Sequence, residues 1–133
     1  METTHQWADN MRLASALTAL NVVVASGFSV AGLIKPELVL PAGATPTDAS
    51  AIFAMYAAAR TIPLALMTMA AIYKGSASAL LVLGLLAGII QLVDATVGLL
   101  QHDIGKTVGP LVLAILQTYA VTSFWKASKA TSN

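Results

Sequence analysis

Two opposite charges stand inside long apolar stretches of this 133-residue chain: Arg60 within residues 49–73 and Asp94 within residues 77–101. Read as helices rising about 1.5 Å per residue, these stretches put Arg60 about 16–18 Å, and Asp94 about 10 Å, from a shared end. An arginine stem can climb several Å by snorkelling, so an Arg60–Asp94 ion pair is expected. Gln91 lies three residues before Asp94 and Tyr56 four before Arg60, each on the face of its charged neighbour. Such a set suits acid–base chemistry. An unpaired, desolvated Asp94 would be a general acid, and a paired one a base or nucleophile. Arg60 and Gln91 would orient it, while Tyr56 or Asn21 helps to hold a substrate oxygen. Pro63 supports the same location, because its missing amide frees the carbonyl of Ala59. Gln117 falls about 15–16 Å below the same end and Asn21 deeper still, so each apolar stretch offers a polar side chain. For Asn21 and Gln117 the plainer role is tying helices together.

Other chemistries are excluded by what is missing. The chain has no cysteine, which removes disulfides, thiolate zinc sites, iron–sulfur clusters and CxxC redox chemistry. Its two histidines, His5 and His102, belong to opposite ends, so no haem is held between them and no multi-ligand metal site forms. No cofactor is expected. With a net charge of +1 and no Lys/Arg-rich arm, nucleic acid is not a partner either.

The elements that must position these residues follow from composition. Charged residues make up 10% of the chain against about 25% in a typical soluble domain, and 57% are apolar. Mean hydropathy is +0.78. An all-α fold is expected, an integral membrane four-helix bundle of antiparallel, up-and-down topology in one domain covering residues 1–133. The spans are expected at about 13–34, 49–73, 77–101 and 107–125. Lys35-Pro36 ends the first, Thr47-Asp48 caps the second, and Lys74-Gly75-Ser76 turns the second into the third. The polar segment 101–106 separates the last two. The length of the first apolar run and the polar tail before it favour a retained span over a cleaved signal peptide.

Basic residues set the orientation. Arg12, Lys74, Lys126 and Lys129 fall on one side and Lys35 and Lys106 on the other, so both termini are expected in the cytoplasm, with the chain in the inner (plasma) membrane. Trp125 is placed as an interfacial anchor. Gly84-x3-Gly88 and Gly98 permit close helix approach, in the bundle core or in a homodimer. His102 and Asp103 read as a solvated turn.

The stretch Tyr56-Ala-Ala-Ala-Arg60-Thr-Ile-Pro63, followed by Gln91-Leu-Val-Asp94-Ala-Thr-Val-Gly98, resembles the DoxX-like group of small four-helix membrane proteins. The likeness covers roughly residues 49–125. It implies a four-helix bundle with the Arg60 and Asp94 positions lining a pocket, and no single reaction.

Three functions fit these features. The first is a metal-free enzyme acting on a lipophilic small molecule, such as an epoxide hydrolase, isomerase or cyclase, with Asp94 and Arg60 catalytic and Gln91, Tyr56, Asn21 and Gln117 binding substrate. The second is a small proton-coupled transporter in which Asp94 exchanges a proton and two chains build the path. The third is a non-catalytic membrane scaffold. Expected partners are membrane lipid, the lipophilic molecule and a second copy of the chain.

Overall fold

The computed structural model describes residues 2–131, which form four long helices and one short 3-10 turn. Helix α1 covers Glu2–Ile34, α2 Asp48–Tyr73, α3 Ala77–Leu100 and α4 Ile104–Thr131. Each is long and apolar enough to cross a membrane. The punctuation is local. Helix α1 stops where Pro36 could not continue it. At the start of α2, the Thr47 side chain accepts from the Ser50 amide while the Ser50 hydroxyl accepts from the Thr47 amide, a reciprocal cap. After α2, Gly75 adopts φ +62°, the left-handed conformation that glycine takes without strain.

Two boundaries differ from those expected. Helix α1 is already formed before Leu13, and α4 runs from Ile104 to Thr131 and not merely over 107–125. Hydropathy marks where a helix is apolar, whereas backbone hydrogen bonding continues through its polar ends.

Packing does not follow chain order. Helix α3 lies mainly against α4, and α1 against both α2 and α4, while α2 and α3 approach each other little despite their short connection. The packed centre gathers Ala14, Leu80, Ala120 and Phe124, with Trp7, Met11, Leu17 and Ile72 around it. Trp7 meets Phe124 with ring centroids 6.0 Å apart, and its indole N–H donates to the Ser128 hydroxyl at 3.3 Å. Trp125 is half exposed, and the Lys129 ammonium sits 4.0 Å from the centroid of its indole.

Candidate functional site: a buried amide layer and two outlying charges

The six candidate residues divide into two groups. Asn21, Gln91 and Gln117 are buried, at 2%, 4% and 0% exposure. Tyr56, Arg60 and Asp94 are exposed.

The buried group is built from helical spacing. Thr18 and Asn21, three residues apart on α1, share a face that meets Gln117 on α4. The Asn21 amide nitrogen donates to Gln117 Oε1 at 2.8 Å. In turn Gln117 Nε2 donates to Thr18 Oγ1 at 2.7 Å, and that hydroxyl donates to the Ala14 carbonyl at 2.7 Å. Glycine makes room for this layer, since a Cβ on Gly84 would stand 3.0 Å from Gln117 Nε2 and 3.1 Å from Thr18 Oγ1. Thr18 joins the layer although it is not one of the six candidates, and its position one turn before Asn21 is the signal for it. Two buried oxygens, Asn21 Oδ1 and Thr68 Oγ1, have no hydrogen-bond partner.

The expected Arg60–Asp94 ion pair is not present. Among the described residues the ion pairs are Arg12–Asp9 at 3.8 Å and Lys106–Asp103 at 3.3 Å. Instead, the Arg60 guanidinium lies 5.9 Å from the ring centroid of Tyr56, its neighbour one turn away. The reason is angular. Helix α2 fastens to α1 through Thr61, whose hydroxyl donates to Ser29 Oγ at 3.0 Å and whose carbonyl accepts from Ser26 Oγ at 3.2 Å. Arg60, one residue earlier, is turned about 100° from that contact. The buried stripe of α3 includes Gly84, Ala87, Gly88, Gln91, Ala95 and Gly98, so Asp94 is likewise one position off its packed face. Since α2 and α3 touch little, nothing draws the two side chains together.

Two surface recesses lie elsewhere. A groove of about 510 Å³ between α1 and α2 is lined by apolar atoms of Trp7, Met11, Met69 and Ile72, with Arg12 among its walls. A recess of about 310 Å³ at the α3–α4 turn is lined by His102, Asp103 and Thr107 among others. Neither includes the six candidates. No group of three or more His, Cys, Asp or Glu side chains that could hold a metal occurs among the described residues.

The turn beside the smaller recess is a clasp. Lys106 Nζ donates to the carbonyl of Leu40 at 2.9 Å and pairs with Asp103, fastening the α1–α2 loop to the α3–α4 turn. Asp103 Oδ1 also accepts the Lys106 amide N–H at 3.0 Å. That backbone hydrogen bond, reinforced by the Lys106 side chain, holds the Asp103 carboxyl below its ordinary range. Because the folded pKa is the lower one, the carboxylate's contribution is full above the ordinary carboxylate range and is lost as pH falls through the folded value. Asp103→Asn should therefore be less stable than wild type at neutral pH, with the difference closing on acidification. Thermal unfolding against pH measures it, and a pH-independent difference would refute it.

No family model, no curated protein and no solved structure matches this chain.

Proposed function

We propose that this chain is a multi-pass protein of the inner (plasma) membrane, with four antiparallel spans and cytoplasmic termini, that binds a lipophilic small molecule along the flank of α2 and α3 marked by Arg60 and Asp94. One observation carries the reading. Two opposite charges lie well inside helices long and apolar enough to span a bilayer, exposed and unpaired with each other. Insertion scales charge about 2.5–3.5 kcal/mol for such a residue at a helix centre, so these positions are expensive to keep. A ligand with an apolar body and a polar group would desolvate less at this flank than at any purely apolar face.

Within this reading Asp94 is the acid or base, Arg60 orients the polar group of the ligand, and Tyr56 lies beside Arg60. Asn21 and Gln117 already hydrogen-bond each other, which suits holding α1 to α4 more than holding a substrate. Gln91 is buried one turn from Gly88 and serves the wall behind Asp94. The amide layer is also what a non-catalytic scaffold would carry, and that alternative predicts no bound molecule.

The test is extraction of the protein in native bilayer discs followed by mass spectrometry of retained small molecules. Wild type should retain a lipophile that Asp94→Asn and Arg60→Gln lose by about tenfold, with helicity unchanged, as expected for removal of one charge-assisted hydrogen bond. Equal retention by all three proteins, or none by wild type, would defeat the proposal.

A further inference from the structure

Phe53, Tyr56, Arg60, Pro63 and Met67 recur along α2 at alternating spacings of three and four, and all five are exposed. That alternation has the 3.5-residue period of a seam along which one helix can meet another, and it is the charge of Arg60 that sets this face apart from the equally spaced and equally exposed Ile52, Met55, Ala59, Ile62 and Leu66. Within the chain α2 uses a different face, since Ala58, Thr68 and Ala71 are its buried residues and Thr61 its polar contact with α1. The seam thus has no partner helix among the described residues. On α3, Asp94 and Val97 are exposed beside the buried stripe. Arg60 and Asp94 are thus both exposed, on two helices that scarcely meet each other.

We propose that a second copy of this chain covers this flank, Arg60 of each copy pairing with Asp94 of the other. Every other charged residue lies in a terminal segment, a connection or a helix end, so Arg60 and Asp94 are the sole complement to one another within the apolar depth of the helices. A lipid phosphate reached by snorkelling could serve Arg60 but would leave the carboxylate without a cation. A two-fold dimer serves both, because an isologous interface that brings residue i to residue j also brings j to i. Counted from the turn joining α2 to α3, the two positions differ by about 6 Å along the helices, within reach of an arginine side chain. Phe53, Tyr56 and Met67 supply the apolar contact around the pairs. The inference rests on the membrane assignment and engages the same two side chains as the proposed ligand, so association and retention of the lipophile are measured on the same variants.

Two variants decide it. Arg60→Asp gives a chain with two acids on the flank, and Asp94→Arg one with two bases. Each alone should self-associate about a hundredfold more weakly than wild type, the scale expected for an unpaired charge near the middle of a span. Mixed, the two chains should recover wild-type affinity, because each acid then faces a base in the partner. Carrying different tags in lipid bilayers, they should co-purify with each other and not with themselves. An intrachain pair predicts no such recovery. Wild-type self-association by both variants, or folded variants that fail to associate when mixed, would overturn the dimer. Should either charge-reversed chain fail to insert, Arg60→Gln and Asp94→Asn provide neutral replacements, and each must weaken association for the proposal to stand. An Asp94→Asn or Arg60→Gln chain that loses the lipophile yet still dimerises like wild type would sink this inference alone, and one that loses dimerisation yet retains the lipophile would sink ligand binding alone.

Discussion

Replacing Gln117 with leucine should destabilise the bundle by about 2 kcal/mol, and adding Asn21→Leu to that variant should restore most of the loss. Gln117 is fully buried and joins two helices through two hydrogen bonds, accepting from Asn21 and donating to Thr18. The partners suffer unequally when it goes. Thr18 keeps its bond to the Ala14 carbonyl, so its hydroxyl stays satisfied. Asn21 does not fare so well, because its Oδ1 already lacks a partner and Gln117 is the acceptor for its amide nitrogen. The single variant therefore leaves a whole carboxamide unpaired at 2% exposure. Hydrogen bonds between membrane helices contribute about 0.6 kcal/mol on average, but stranding a buried polar group costs more, about 1–3 kcal/mol. Removing both partners replaces a stranded amide with apolar contact. Equilibrium unfolding in mild detergent or bilayer discs measures both variants. If the double variant proves no more stable than Gln117→Leu, the penalty does not come from Asn21 and the argument fails.

This layer also shows how far the sequence could be read. The number of helices was legible, because Pro36, the Thr47–Ser50 cap and Gly75 are local signals and the apolar runs between them are long. That each run contributes a polar residue was legible too. Which of those residues turn inward was not, since neighbouring positions on a helix differ by about 100° and composition does not mark the packed face. Ala95 is buried and Asp94 is not; Thr61 holds α1 and Arg60 points elsewhere. Depth alone favoured the pairing of Arg60 with Asp94, as both positions were measured along their own helices. Lateral position depends on which helices touch, and the contact of α1 with α4 joins residues 96 apart in the chain. The three-residue connection between α2 and α3 suggested the closest neighbours, whereas small residues on α3 drew it to α4.

The α3–α4 contact carries the second large effect, at Gly98. A Cβ there would collide with the carbonyl carbon and oxygen of Lys106 and stand 2.6 Å from the Thr107 amide nitrogen. All three atoms are backbone, so no change of rotamer relieves the clash. Pro110 explains why that carbonyl is available, for a proline has no N–H to bond the carbonyl four residues before it. The first turn of α4 thereby closes directly onto Gly98, and the same Lys106 holds the α1–α2 loop through its ammonium. Gly98→Ala should cost about 3 kcal/mol, the upper part of the usual overpacking range, because α4 must move bodily and the Lys106 clasp moves with it. Gly84→Ala should cost less, about 1–2 kcal/mol, since its obstacles are side-chain ends: Val121 Cγ2 at 2.8 Å, Gln117 Nε2 and Thr18 Oγ1. At Gly27 a Cβ meets nothing within 4 Å, so alanine should be neutral or stabilising by about 0.5–1 kcal/mol through helix propensity alone. Thermal unfolding of the three variants in one lipid environment tests the order. A Gly98→Ala protein as stable as Gly27→Ala would mean that α3 and α4 do not close on each other through this carbonyl.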